Sequence, residues 1–172
     1  MRTYKRAYAD GGCYFFTVVT HGRKHLLTDD NAVARLRLAF KHVMVKWPFE
    51  IDAISVMPDH LHCLWSLPDN DHDFSKRWML IKRFFSVGIP AASNARREKA
   101  VWQPRFWEHL IRDDEDWRRH MDYIHYNPVK HGYIQRPIEW PHSSFKKAVE
   151  QGLYEENWGS ATPQSIQHMD LE

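Results

Sequence analysis

The sequence is short of several things, and each shortage excludes a class of protein. No stretch approaches the roughly 18 uninterrupted apolar residues that a membrane span requires, and the opening MRTYKRAYADGG has no apolar core of a secretory signal, so a cytoplasmic protein with no membrane partner is expected. Cysteine occurs only twice, as Cys13 and Cys63, which argues against a disulfide-stapled scaffold and for two reduced thiols. There is no internal repeat and no low-complexity segment. Acids are almost missing from Lys76 to Phe106, where Lys76, Arg77, Lys82, Arg83, Arg96, Arg97, Lys99 and Arg105 face the single acid Glu98. Bases are wholly missing from Glu150 to Glu172, which carries five acids and no Lys or Arg. A net charge of +2 therefore hides a middle that attracts phosphate and a tail that does not.

What is present is ample for folding. The 172 residues are 43% hydrophobic, 27% charged and 14% aromatic, a globular composition rich in large rings and long enough for one substantial core. CYFFTVVTH, following Gly11 and Gly12, is aromatic and β-branched and reads as a strand. Thr28, Asp29 and Asp30 offer caps to NAVARLRLAFKHVMVKW, whose Val33, Leu36, Phe40, Val43 and Trp47 recur at helical spacing before Pro48. FEIDAISVM and HLHCLWSL read as two strands around a Pro58-Asp59 turn, and DFSKRWMLIKRFFSV as a second helix. After the polar ASNARREKAV, QPRFWEHLI suits a fourth strand, and DDEDWRRHMDYIHYN a third helix with acids in its first turn and an expected end near Asn127, ahead of Pro128.

This order predicts an α+β fold, a ferredoxin-like βαββαβ antiparallel sheet with helices on one face, an additional C-terminal catalytic helix and a second face free to bind. Residues 1–150 are expected to form the catalytic domain. From about residue 135 the chain reads as a wrap-around extension, and residues 151–172 as a loose acidic tail.

Side chains alternate across a strand, so His60 and His62 of PDHLHCLW share one face while Leu61, Cys63 and Trp65 take the other. Two imidazoles on one face suit a cation, yet two ligands are too few, and a His-x-His pair also occurs as ordinary hydrogen bonding at a sheet edge. Tyr123 and Asn127 lie one helical turn apart, with Trp117, Met121 and Ile124 as the apolar stripe, so an Asn127 amide oxygen is a candidate third ligand.

PDHLHCLW, WQPRFWEHLIR and DYIHYNPVKHGY, together with GGCYFFTV and WPHSSF, give this chain, from about Tyr4 to Trp158, a sequence that resembles the REP-associated tyrosine transposases, a branch of the HUH single-tyrosine transposases. The resemblance implies that His60, His62 and Asn127 bind Mg2+ or Mn2+ and that Tyr123 is the nucleophile. It further implies a 5'-phosphotyrosine link to single-stranded DNA with a free 3'-OH, REP-type palindromic hairpins as the substrate, and a monomer, with a dimer as the alternative. DNA contacts are expected from Arg2, Lys5, Arg6, Arg83 and Arg105, with bases stacking on rings interleaved among them such as Trp102, Phe106 and Trp107. His125, Lys130 and His131 neighbour Tyr123 in sequence without any one standing out as a general base. Two other readings remain at this point: a hairpin-binding protein without catalysis, and a metallohydrolase that uses water as nucleophile. From charge separation alone, the acidic tail is expected to lie near the basic site and compete with DNA.

Overall fold

The structure, a computed structural model, describes residues 8–96 and 99–172. Strand β1 (Cys13–Val19) leads to α1 (Asp30–Lys46), then β2 (Glu50–Val56) and β3 (His60–Ser66), α2 (Phe74–Ser86), β4 (Trp107–Leu110), α3 (Asp114–Lys130) and the short α4 (Phe145–Glu150). The four strands form an antiparallel sheet in the order β2-β3-β1-β4. That is the expected βαββαβ arrangement with a further helix.

Local chemistry sets the helix starts. Asp29 accepts from the backbone of Asn31 and Ala32, Asp73 from Lys76, and Asp113 from Asp116, each satisfying amides that a helix leaves open at its first turn. Helix α3 does not end at Asn127 but runs to Lys130 with Pro128 inside it. Pro128 lies in the last turn, so the ring removes one donor where the ladder is about to stop. The carbonyls of Asn127, Pro128 and Val129 are then taken by His131, Tyr133 and Gly132. β4 is also shorter than the sequence suggests, because Gln103 to Phe106 approach it as irregular chain.

One face of the sheet carries Phe16, Val18, Leu61, Cys63 and Trp65, packed against Leu36, Phe40 and Val43 of α1 and Trp78, Ile81 and Phe85 of α2. The other face carries Phe15, Ala53 and Leu64 against Met121, Tyr123 and Ile124 of α3 and Ile166 of the tail. This second face is therefore not free. α3 covers part of it, and residues 163–172, expected to be loose, cover more: Ile166 is buried and Met169 and Leu171 pack on the same cluster. Arg119 Nε donates to the Ser165 carbonyl, and Asp122 accepts from Tyr154 and Ser165, tying that segment to α3. Cys13 and Cys63 are both free thiols and belong to opposite faces of the sheet, which rules out a bridge between them.

Candidate active site

Pairing across the sheet builds the site. Thr17 of β1 stands opposite His62 of β3 on one side and Trp107 of β4 on the other, while Val19 stands opposite His60. His62, Thr17 and Trp107 thus form a row across one face, and α3 lays Tyr123 and Asn127 over its histidine end. Both histidines, Tyr123 and Asn127 are buried.

The imidazoles are oriented by their Nδ1 atoms. His60 Nδ1 lies 2.7 Å from Asp59 Oδ1, and that carboxylate is held below the usual range: burial opposes its charge, but the bonds from His60 and Arg23 prevail. His62 Nδ1 lies 2.9 Å from Thr17 Oγ1. The Thr17 hydroxyl spends its only proton on the Leu171 carbonyl at 2.8 Å, so it must accept from His62. In both rings Nδ1 carries the proton and Nε2 turns inward toward Glu172. Burial pushes the pKa of His62 down to about 4, so that ring is neutral near pH 7.

Five groups converge on one carboxylate, that of Glu172, the last residue of the sequence. Its Oε2 is 3.2 Å from His60 Nε2; its Oε1 is 3.4 Å from His62 Nε2, 3.1 Å from Asn127 Nδ2, 3.1 Å from His131 Nε2 and 3.0 Å from the Tyr123 hydroxyl. Its side chain is only 18% exposed. Burial disfavours its charge, but the polar groups around it, with the His131 hydrogen bond foremost, outweigh that cost and keep it ionised.

This donor set suits a divalent cation. The ligand atoms of His60, His62 and Glu172 lie within 4.8 Å of one another, and Asn127 Oδ1 is 3.3 Å from His60 Nε2. The neutral His62 ring turns its Nε2 lone pair toward a carboxylate, a contact that a cation between them would make favourable. Nδ1 protons given to a carboxylate and a hydroxyl are the supporting contacts expected of metal-binding histidines.

Tyr123 is a phenol at neutral pH. Burial drives its pKa up to about 12 against the opposing hydrogen bonds from the Leu171 amide and Lys130. Lys130 Nζ donates to the Tyr123 oxygen at 3.1 Å. Of the three basic neighbours in sequence, then, Lys130 reaches the Tyr123 oxygen and His131 reaches Glu172. His125 points elsewhere, buried against Ser144 Oγ at 2.8 Å with its pKa pushed down to about 3.

The expected DNA contacts divide. Arg105 borders a cavity of about 530 Å3 that opens beside Glu172. Arg83 is exposed on α2, in the layer on the far side of the sheet, where it borders a second cavity of about 870 Å3. Arg2, Lys5 and Arg6 lie outside the described residues. Arg77, counted among the bases of the middle segment, is not a surface charge at all: it is fully buried, paired with Asp71 at 2.7 Å and donating to the Trp47 and Pro48 carbonyls.

Sequence reasoning missed Thr17, Asp59, Leu171 and Glu172, and it singled out His131 as a neighbour of Tyr123 without a role. Asp59 was adjacent to His60, and alternation on β1 placed Thr17 on the histidine face. Nothing local pointed to Leu171 or Glu172, because their place depends on a return of the chain from more than forty residues away.

Comparison with known proteins shows the family. Residues 11–126 match the family model described as "Transposase IS200 like". A REP-associated tyrosine transposase of Escherichia coli K12 is 46% identical over 159 residues, covering 92% of this chain and 91% of that protein. A Haemophilus influenzae protein described as a "putative REP-associated tyrosine transposase" is 44% identical over 167 residues, covering 92% and 94%. A solved structure of a REP-associated tyrosine transposase bound to a REP hairpin superposes with a TM-score of 0.81 at 43% identity, covering 96% of each chain. The chain therefore belongs to the IS200-like transposases, in their REP-associated tyrosine transposase branch.

Proposed function

We propose that this protein cuts and rejoins single-stranded DNA at REP-type hairpins through a covalent 5'-phosphotyrosine on Tyr123. The observation that carries the reading is the convergence of the Tyr123 hydroxyl, His60 Nε2, His62 Nε2 and the Asn127 amide on a single bound carboxylate. An anion already sits where a scissile phosphate would meet all four groups. The partner is inferred from the relatives' names and from the solved relative's hairpin.

In the reaction, Tyr123 Oη attacks phosphorus, the P–O3' bond breaks, and the departing 3' oxygen takes a proton to leave as a hydroxyl. The phosphodiester energy is kept in the new P–O bond, so the reverse step rejoins strands without ATP. His60, His62 and Asn127 would hold Mg2+ or Mn2+, which when bound polarises the phosphate and offsets its charge. Lys130, 3.1 Å from the phenol oxygen, stabilises the charge that develops there as its proton is lost. Burial of the site keeps competing water away from the linkage. Residues 1–150 carry this chemistry, Arg83, Arg105 and the N-terminal Arg2, Lys5 and Arg6 serve as phosphate contacts, and residues 151–172 govern access.

The test is incubation with a labelled single-stranded REP hairpin and Mg2+ or Mn2+. A protein–DNA adduct should form and should vanish in Tyr123→Phe, which retains the ring and its packing. Strand cleavage that survives in Tyr123→Phe would transfer the chemistry to water, and binding with no cleavage in the parent would reduce the protein to a hairpin-binding module.

A further inference from the structure

The row His62–Thr17–Trp107 ends at an exposed aromatic ring on the sheet's edge strand. Trp107 is 39% exposed, although a large apolar side chain paired opposite a buried residue would ordinarily be covered. Its inner edge meets Phe15 (centroids 5.7 Å apart, 70°), and it lies parallel to His109 (6.0 Å, 7°), which fixes the plane of the indole. The cavity of about 530 Å3 that it borders lies in the size range of small-molecule sites and begins at Glu172.

The walls of this cavity are those of a nucleotide site. Arg105 and Arg23 supply positive charge, and Arg23 is braced by Asp59, the same carboxylate that orients His60. Gln103 also lines it, and its backbone is pinned twice: the amide donates to the Val19 carbonyl at 2.9 Å, and its carbonyl accepts from Lys82 Nζ at 2.9 Å. The Gln103 carboxamide carries a donor and an acceptor that can pair with a base edge. Thr17 joins the floor of the cavity to the histidine site.

Resting on the reading of the protein as a single-strand cutting enzyme, we propose that this cavity is a protein-borne recognition subsite for one unpaired nucleotide adjoining the scissile phosphate. Its base stacks on Trp107, its phosphate is met by Arg105 and Arg23, and the Gln103 carboxamide reads its edge. The cavity opens at the sheet edge and runs inward to Tyr123's anion position, so a strand lying in it enters the reacting centre in continuous contact with the protein.

The experiment scans abasic sites through the unpaired nucleotides on either side of the cleaved bond in the labelled hairpin, and compares adduct formation by the full chain and by Trp107→Ala, Trp107→Phe and Gln103→Ala. With the intact hairpin, Trp107→Ala should lose roughly 5- to 150-fold in adduct formation at subsaturating DNA, the range of one lost base stack. Trp107→Phe should recover most of it. At one position alone, an abasic nucleotide should cost the parent protein a similar factor and cost Trp107→Ala nothing further. At that same position, Gln103→Ala should narrow the parent's preference among the four bases. Additive losses at every position, or an unimpaired Trp107→Ala, would overturn the subsite while leaving the tyrosine chemistry standing. A parent protein that forms no adduct at all would instead remove the reading on which the subsite rests. A shared thermal midpoint between the parent and the Phe variant separates a lost stack from a damaged sheet edge.

Discussion

Replacing Glu172 by Gln is the perturbation that tests most directly what the tail does. The carboxylate occupies the point on which the histidines, Asn127 and Tyr123 converge, and Leu171 adds two main-chain bonds, its amide to the Tyr123 oxygen at 3.2 Å and its carbonyl to Thr17. A DNA phosphate must displace it. Hydrogen bonds to an ionised group contribute about 1.5–3 kcal/mol each, but ordering the tail costs about 1–2 kcal/mol per residue, so the docked state is favoured by much less than the bonds from Tyr123, Asn127 and His131 suggest. Gln keeps the shape and removes the charge, for a loss of about 2–3 kcal/mol of docking. If the closed form dominates, the open fraction, and with it the apparent affinity for DNA, rises about 30- to 150-fold. The assay is the rate of covalent adduct formation with the hairpin at saturating Mn2+, measured across DNA concentrations. Because the tail competes with DNA, the gain should appear at low DNA and close at saturation, and deletion of residues 170–172 should reproduce it. An unchanged or slower rate at low DNA in both variants would refute the argument. A rate that falls below the parent's only when Mn2+ is made limiting would show that Glu172 serves the cation more than it blocks the substrate.

Two further expectations concern the frame that holds the site. Asp116 accepts from His109 Nε2, the Arg112 amide and Arg112 Nε, and its pKa is lowered to about 2: burial opposes ionisation, but those bonds win. A carboxyl depressed in the folded state stabilises above its unfolded value, 3.8, and loses that contribution as pH falls toward about 2; Asp116→Asn should thus cost about 2 kcal/mol in urea unfolding at pH 7, the gap from the parent shrinking below pH 4. Arg77→Met should destabilise by about 3 kcal/mol, since it strands the Trp47 and Pro48 carbonyls and Asp71, yet leave the salt dependence of DNA binding unaltered, because a buried guanidinium releases no counterion; a shallower salt slope would place Arg77 on the DNA.

Much of this arrangement was legible because it rests on short-range chemistry. Alternation on β3 separates His60 and His62 from Leu61, Cys63 and Trp65, and the sheet keeps that separation: the histidines face α3 and the other three face α1 and α2. Helical spacing on α3 brings Asn127 to His60, because residues four apart must lie one turn from each other. Pro128 misled for a local reason, since a proline in a last turn removes a bond the helix was about to lose in any case. Arg77 misled for a different one: the charge of a guanidinium is legible in sequence, but not the three carbonyls and the carboxylate waiting to take it into the core.

The tail shows where such reading stops. Its charge was plain, and a repulsive tail near a phosphate site was a fair inference, but charge alone sends it to the bases of the middle segment. It goes instead to histidines. The deciding groups are apolar: Ile166, Met169 and Leu171 pack on the Phe15–Leu64 face beside α3, and this non-directional burial carries Glu172 to the place where the Tyr123 hydroxyl, the Asn127 amide and His131 can receive an anion. An acidic sequence thus finds the active site through its hydrophobic residues, and the carboxylate reports the site's chemistry once it arrives. The same packing explains why Tyr123 is buried in this state: the cover of the proposed nucleophile is the tail itself, so DNA that is to reach the phenol must first lift the strap that Leu171 fastens to it.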